Sequence, residues 1–462
     1  MIIYTRAASM NLNTLKVPIK WSMVEPEPGV YDFSYVDHVL QLARQHGLKL
    51  ILCWFGHYGS SNGNIYRNMT GEVYAPMYVI EDDQTYPRAI DVQGRVHHNA
   101  ISYAYQPIVD VETKAFCAFM RHIKEVDDGT YTVVMIQVEN GNICFWRRVD
   151  NRLHWRDYAP AALEAYNTGG FKEDLSFSAW LMAEKWIKPL TNAGKAIYPL
   201  PFFVNFVNVL LRDCIVGGSA GEDVATYLKH CPSIDFCGAN MYVRGQGNSN
   251  ILRMALNRYL VGRNIPAITE TNSDTSPMAS RVAYLAIGEY GVPIFAPWAL
   301  NTSYPTPHKP YVLPDGSIAN GARQLATCYR SLQMALPLIA KYSRTNQLKV
   351  FMSHEPGQKF SMRADLCGTY VAVEGEDIGQ ALVIQTQSHE YYMIGYACNI
   401  SIQNDQLRWP MIKQVSAEHG IYDDQGWNPK GHVRYVIDQS LNQIRITMTE
   451  PQVVRVVMPQ PS

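Results

Sequence analysis

Residues 48–55 read LKLILCWF, a nearly unbroken run of apolar side chains with the length of a β-strand. Strands that are buried on both faces show this pattern, and they belong to parallel sheets covered by helices. The segment before this run begins at Ser34, carries its apolar residues at helical spacing and ends at Gly47. Residues 13–19, NTLKVPI, predict an earlier strand. The sequence therefore predicts a strand–helix–strand unit.

This alternation continues for most of the chain. Further strands are predicted at 131–138, 195–205, 234–242, 264–270 and 292–298, and the helices between and after them near 111–127, 176–193, 222–229, 250–261, 277–289 and 320–343. So many units predict an α/β fold of the (β/α)8 TIM-barrel type. Only seven strands can be counted, and a helical stretch at residues 3–10 precedes the first of them. The first barrel strand is either missing or supplied by another segment.

Beyond residue 349 the pattern changes to short alternating strands separated by turn residues. This texture is typical of an antiparallel β-sandwich. We therefore predict a barrel domain at 1–348 and a β-sandwich domain at 349–462.

The composition of the chain limits the classes of binding partner that we expect. The formal net charge is −1, which favours neither nucleic acid nor an anionic membrane surface. No run of 18 apolar residues predicts a membrane helix, and the first residues lack the apolar segment of a secretory signal, so the compartment stays open. The nine cysteines are scattered without a CxxC pair. We predict no metal site and no cofactor, and an oligomer is possible.

Polar and aromatic residues mark the carboxyl ends of the predicted strands, where TIM barrels build their active sites. Carboxylates, amides and aromatic rings on one rim suit a sugar, whose apolar faces stack on rings and whose hydroxyls bond to polar groups. A carbohydrate is therefore the expected partner. The predicted site residues are Trp54, His57, Glu139, Asn140, Gly141, Asn240, Tyr242, Glu270 and Trp298.

Retaining glycoside hydrolysis needs two carboxyl groups about 5–5.5 Å apart, one of them the nucleophile. Glu270 ends an apolar strand and is the natural nucleophile; the alternative is a carboxylate that caps the next segment. For Glu139 we favour a buried structural carboxylate. His57 is open between a sugar contact and simple packing.

Several motifs resemble the clan A β-galactosidases of glycoside hydrolase families 35 and 42. The stretch 17–33, VPIKWSMVEPEPGVYDF, resembles their second-strand motif, and 134–141, VMIQVENG, resembles the fourth-strand motif written IQVENE. KAIYPLP at 195–201, PSIDF at 232–236 and PAITE at 266–270 resemble the bacterial branch of family 35, which carries a C-terminal β-domain. The resemblance covers nearly the whole chain.

The resemblance implies roles for individual residues. It makes Glu270 the nucleophile, Asn140 the amide that bonds the sugar 2-hydroxyl, Tyr242 a hydrogen-bond partner of the nucleophile and Trp298 an aromatic platform. The second glutamate of the family's ENE motif is the acid/base, and Gly141 stands at its position here.

The expected activity is cleavage of terminal β-galactosides through a covalent intermediate, impaired or unusual because of Gly141. Three explanations remain open: an engineered knock-out, an enzyme that uses another acid, or a pseudoenzyme that only binds carbohydrate. Whether Glu139 substitutes as the acid is also open.

Overall fold

The computed structural model of the chain describes residues 1–56, 74–140, 147–149, 152–154, 156–207, 221–242, 248–272, 278–301, 310–355, 357–403 and 414–459. The α-helices are Ile2–Ser9, Trp21–Val24, Ser34–Gln45, Met77–Ile80, Gln106–Asp127, Pro160–Thr168, Asp174–Trp180, Lys188–Ile197, Val224–His230, Ser249–Asn257, Met278–Ala283, Asn320–Gln333 and Leu336–Tyr342. Gly221–Asp223 is a 3₁₀ turn, and Leu181–Ile187 and Tyr284–Glu289 are π-helical.

The first two thirds of the chain build a parallel sheet. Its strands and two flanking hairpins are β1 (Thr14–Lys20), β2 (Lys49–Phe55), β3 (Arg88–Ile90), β4 (Val96–Ile101), β5 (Val133–Val138), β6 (Arg147–Val149), β7 (Arg152–His154), β8 (Phe202–Val207), β9 (Phe236–Met241), β10 (Ile268–Asn272) and β11 (Phe295–Trp298). The order β1-β2-β5-β8-β9-β10-β11 forms one seven-stranded sheet, a nearly closed barrel. The predicted barrel is confirmed.

The barrel has a gap in the described part of the chain, because β1 and β11 are the two edges of the sheet and do not pair with each other. The predicted helix at 3–10 is present as Ile2–Ser9. It lies beside the last barrel helices: Nε of Arg6 donates to the Gly316 carbonyl at 2.7 Å. Just after it, Asn11 donates to the Ala326 carbonyl at 3.1 Å.

One predicted boundary is wrong. The strand predicted at 195–205 begins only at Phe202, because the helix that contains Gly194 runs on to Ile197. A Cβ at position 194 would lie 2.6 Å from the ring of Phe116 and 3.1 Å from that of Phe202. Glycine stands there because the helix packs closely against its neighbours, and not because the chain turns.

The rest of the chain is antiparallel, as predicted. Its strands are β12 (Leu348–Met352), β13 (Phe360–Leu366), β14 (Thr369–Gln387), β15 (Glu390–Gln403), β16 (Ser416–Asp423), β17 (Gly426–His432), β18 (Val436–Asp438), β19 (Gln443–Met448) and β20 (Gln452–Val457). The long strands β14 and β15 each pair with different neighbours along their two halves, and their register shifts between Gly375 and Gln380. Val373 and Val383, from opposite halves of β14, share one apolar core, so the two halves face each other as layers.

This β-region packs against the barrel. Val350 and Leu382 belong to the same apolar core as the barrel helices, and a Cβ on Gly288 would lie 2.9 Å from Val350. The buried Arg281 donates to the hydroxyl and the carbonyl of Ser353, both at 2.6 Å. The boundary between 348 and 349 stays a prediction. Among the described residues, no helix has the length and apolar character needed to cross a membrane.

Candidate active site

Glu270 lies near the carboxyl end of β10, at the barrel rim. Two residues of β10, Ile268 and Glu270, pair with the consecutive residues Ala239 and Asn240 of β9, so the strand carries a bulge. Bulges redirect side chains and are frequent beside active sites. The Glu270 side chain is 13% exposed, so its carboxylate is accessible from the rim yet held by protein on most sides.

Tyr242 follows β9 and contacts this carboxylate directly. Its hydroxyl donates a 2.6 Å hydrogen bond to Oε2 of Glu270. Burial and the negative charge of Glu270 raise the pKa of Tyr242 well above 10. The phenol therefore stays protonated and remains a donor. The predicted contact between Tyr242 and Glu270 is present in the structure.

Three amides meet beside Glu270. The side-chain nitrogen of the fully buried Asn205, in β8, lies 2.9 Å from Oδ1 of Asn140, 3.0 Å from Oδ1 of Asn240 and 3.3 Å from Oε1 of Glu270. Thr269 donates to Asn240 at 3.0 Å and fixes that amide in turn. Asn140 and Asn240 thus stand where the sequence placed them, and Asn205 joins them to the carboxylate.

A cation lies on the inner side of the carboxylate. Lys16 projects from β1, and its ammonium lies 3.8 Å from Oε1 of Glu270. It donates to Oε1 of Gln137 at 2.8 Å and to the carbonyl of Thr269 at 2.9 Å. Gln137 donates in turn to Oδ1 of Asn140 at 3.1 Å. The network therefore reaches across the barrel from β1 to β5 and β10.

Glu139 is fully buried, and its carboxylate turns away from this network. Its φ of 65° is left-handed and interrupts the strand alternation after Gln137. Its Oε1 accepts the backbone N–H of Gly56 at 2.9 Å. It also hydrogen-bonds the carboxyl group of Glu112. This geometry favours the buried structural role over substrate contact.

Trp54 does not line the site, and the prediction that it contacts substrate is corrected. Its side chain is fully buried, its ring packs against Phe116 and Phe119, and its indole N–H donates to Glu112 at 3.0 Å. The side chains of β2 alternate between the barrel interior, where Cys53 lies, and the helix layer, where Trp54 lies.

The remaining predicted residues divide into two groups. Trp298 ends β11 on the same side of the barrel, is half-buried, and has a cis peptide bond to Ala299. His57 and Gly141 lie outside the described residues. Within the described ranges, no group of three or more His, Cys, Asp or Glu residues is placed to hold a metal ion.

Sequence reasoning missed three residues of this region. Asn205 is a single polar residue in the apolar strand PFFVNFV, a visible signal at a strand end. Lys16 gives a weaker signal, since a lysine in a strand is usually on the surface. Glu112 gives only the signal of a charge on the apolar stripe of its helix, because its partners are distant in sequence.

Comparison with known proteins supports this reading of the fold. Residues 3–54 match the family 42 glycoside hydrolase model, described as beta-galactosidase. Residues 325–432 match a domain of unknown function, DUF5597, which spans the predicted domain boundary. No curated protein sequence gives a significant match.

Among solved structures, the chain resembles the beta-galactosidase of the psychrophilic Marinomonas ef1 at 12% identity and a TM-score of 0.50. The match covers 72% of this chain and 57% of that one. The beta-galactosidase of Bacillus circulans sp. alkalophilus matches at 14% identity and a TM-score of 0.50, with 72% of this chain and 53% of that one covered. The catalytic domain of beta-amylase from Paenibacillus polymyxa matches at 11% identity and a TM-score of 0.53, over 70% and 92% of the two chains. The chain spans little more than half the length of the two β-galactosidases. The comparisons therefore show a TIM-barrel fold for this chain, with a likeness to the family 42 glycoside hydrolase model over residues 3–54.

Proposed function

We propose that the chain is a retaining glycoside hydrolase of β-galactosidase type whose nucleophile is Glu270. One observation carries the proposal: Glu270 accepts a short hydrogen bond from Tyr242, and the amides of Asn140, Asn205 and Asn240 converge beside it. Such a carboxylate, surrounded by fixed amide groups at a barrel rim, suits attack on a sugar whose hydroxyls bond to those amides. The resemblance to family 35 in particular supports a terminal β-galactoside as substrate.

In the proposed reaction, a carboxylate oxygen of Glu270 bonds to the anomeric carbon while the bond from that carbon to the leaving oxygen breaks. Water then cleaves the glycosyl ester and restores the carboxylate. Tyr242 gives its hydrogen bond to the free carboxylate, and this contact weakens when the ester forms. It therefore favours the release of the sugar from Glu270.

With glycine at position 141, the two proton transfers of this reaction lack the carboxyl group that would catalyse them, so they are its slow steps. The matched motif has a carboxyl group there, which protonates the leaving oxygen and later activates water. General acid–base catalysis contributes about 10²–10⁴-fold to rate. Substrates with a good leaving group need that proton least, so activated aryl β-galactosides should react while unactivated β-galactosides react very slowly.

The test uses an aryl β-galactoside with a strongly acidic phenol, with and without sodium azide. Azide attacks the glycosyl–enzyme without needing a general base, so it should speed turnover and yield a glycosyl azide. Glu270→Gln, the matched nucleophile variant, should abolish both the release of the phenol and the formation of the glycosyl azide. A glycosyl azide formed equally well by Glu270→Gln would remove Glu270 from the role.

The second candidate is a protein that binds carbohydrate without cleaving it. Gly141 favours this alternative, because the matched motif loses one of its two carboxyl groups there. Galactose binding by the wild-type protein, measured by calorimetry, combined with no release of phenol from a panel of aryl glycosides would establish it.

A further inference from the structure

A buried pair of carboxyl groups lies behind the rim. Glu112, in the helix Gln106–Asp127, is fully buried in the layer between barrel and helices. Its Oε1 accepts the indole N–H of Trp54 at 3.0 Å, and its Oε2 accepts that of Trp186 at 2.8 Å. The two indole donors hold the buried carboxyl group of Glu112 in one orientation, and its complete burial disfavours the ionised form.

Glu139 is the second member of the pair. Its carboxyl group hydrogen-bonds that of Glu112 and is fully buried as well. Two carboxylates in contact and away from water do not both ionise, so the pair keeps one proton. Burial and the negative charge of Glu139 raise the pKa of Glu112 well above its ordinary value, so the pair holds its shared proton at neutral pH.

The end of β2 is shaped to admit the pair. A Cβ at Gly56 would overlap Oε1 of Glu112 and would lie 2.8 Å from Oε1 of Glu139. The backbone N–H of Gly56 donates to Glu139 at 2.9 Å. The pair therefore ties together the ends of β2 and β5 and the helix of Glu112.

The pair also connects to the proposed sugar site through the chain. Glu139 immediately precedes Asn140, and its left-handed φ of 65° sets the direction in which the chain leaves β5. Gln137 donates to the carbonyl of Glu139 at 2.7 Å and to Oδ1 of Asn140 at 3.1 Å. Fixing the side chain of Glu139 thus fixes the residue between two members of the amide network.

We propose that Glu112 is a positioning residue of the sugar site: it shares one proton with the buried carboxyl group of Glu139 and thereby holds Asn140 at the rim. The sugar-binding half of this statement rests on the proposed function. The proton-sharing half does not, and the two halves have separate readouts.

The first readout is the pH dependence of unfolding. The pKa of Glu112 is higher in the folded protein than in the unfolded chain, where the pKa of glutamate is about 4.3. The stability that this proton contributes is therefore lost as the pH rises through the pKa of the folded state. The titratable group facing Glu112 is Glu139; its other described polar contacts, the indoles of Trp54 and Trp186, do not titrate in this range. One extra proton in the folded state changes the unfolding equilibrium constant by about tenfold per pH unit.

Urea unfolding should be measured between about pH 5 and about pH 9 for wild type and Glu112→Gln. As the pH rises, the free energy of unfolding should fall more steeply for wild type than for the variant. The glutamine still donates to Glu139 but leaves one indole without its acceptor, a cost that does not depend on pH. The matched control, Glu125→Gln, removes an exposed carboxyl group of the same helix and should keep the wild-type slope. If E112Q does not fold alone, E112Q/E139Q replaces the pair with an amide–amide contact and supplies the same comparison.

Parallel curves for wild type and the glutamine variant would overturn the shared proton. The second readout is galactose affinity by calorimetry, which should fall about 3- to 10-fold in E112Q, the effect of one misplaced hydrogen-bonding group. A changed pH slope with unchanged galactose affinity would overturn the positioning role. Failure of the wild-type protein to bind galactose would count against the proposed function and against the positioning role, and the pH slope would still decide the shared proton.

Discussion

The hydroxyl of Tyr242 and Oε2 of Glu270 lie 2.6 Å apart, at the carboxyl ends of two neighbouring strands. Because the bulge in β10 aligns Glu270 with Asn240, the tyrosine two residues beyond Asn240 meets the carboxylate without any loop having to close over it. This contact is built into the sheet and is therefore preorganised for chemistry.

Removing that hydroxyl should impair the reaction with aryl β-galactosides. The hydroxyl stabilises the Glu270 carboxylate as it leaves the sugar, and hydrogen bonds to charged groups contribute about 1.5–3 kcal/mol. Tyr242→Phe should therefore slow hydrolysis of the glycosyl–enzyme and lower kcat by about 10- to 100-fold. Because the pKa of Tyr242 lies well above 10, wild type should show no loss of this donor up to mildly alkaline pH. Steady-state kinetics of both proteins across that range provide the measurement, and an unchanged kcat in the phenylalanine variant would contradict the role.

Asn205 joins three polar groups, so two substitutions there separate its contributions. Asn205→Ala removes the donor and should weaken kcat/KM by about tenfold, the value of a buried hydrogen-bonding group. Asn205→Asp keeps the shape but puts a negative charge 3.3 Å from the position of Oε1 of Glu270. Because like charges repel in a partly buried site, the aspartate should be more harmful at neutral pH than the alanine and should recover activity as pH falls. Equal pH profiles for the two variants would argue against a direct contact with Glu270.

A substitution at Gly194 tests how closely its helix packs against Phe116. A Cβ there would lie 2.6 Å from the ring of Phe116, and overpacking of this kind costs about 1–3 kcal/mol. Gly194→Ala should therefore lower the free energy of unfolding, although alanine is the better helix former by about 1 kcal/mol. Asn192→Ala, at an exposed position of the same helix, is the matched control and should be neutral or slightly stabilising. A stabilised G194A protein would show that the helix can shift outward.

The residues that sequence reasoning located share one property: each lies at, or within two residues after, the carboxyl end of a predicted strand. A run of apolar residues marks the strand, and the barrel rule then places Asn140, Asn240, Tyr242 and Glu270 on one rim. The same logic fails for Trp54, because every residue of LKLILCWF except Lys49 is apolar and the pattern does not reveal which alternate set faces the barrel interior. Pairing with the neighbouring strands decides this, and it sends Cys53 inward and Trp54 outward.

Residues whose partners are distant in sequence form a second group that could not be predicted from the sequence. Glu112 lies on the buried face of an amphipathic helix, where a charged residue interrupts the apolar pattern. Its acceptor role depends on Trp54 and Trp186, which lie 58 and 74 residues away in sequence. No local spacing rule connects such residues, so only the folded chain identifies them. Lys16 is similar, since its partners belong to strands on other sides of the barrel.

Restoring a carboxyl group at position 141 tests the proposed chemistry most directly. Position 141 follows Asn140, whose amide belongs to the network around Glu270, and the resemblance to the IQVENE motif implies that an acid/base belongs there. Gly141→Glu should raise kcat/KM for an unactivated β-galactoside by about 10²–10⁴-fold and should abolish the acceleration by azide, because a general base then activates water. Gly141→Gln is the matched control: it has the same size and cannot transfer the proton. If the two variants gained activity equally, the effect would be one of filling space, and the acid/base would have to be sought elsewhere on the rim.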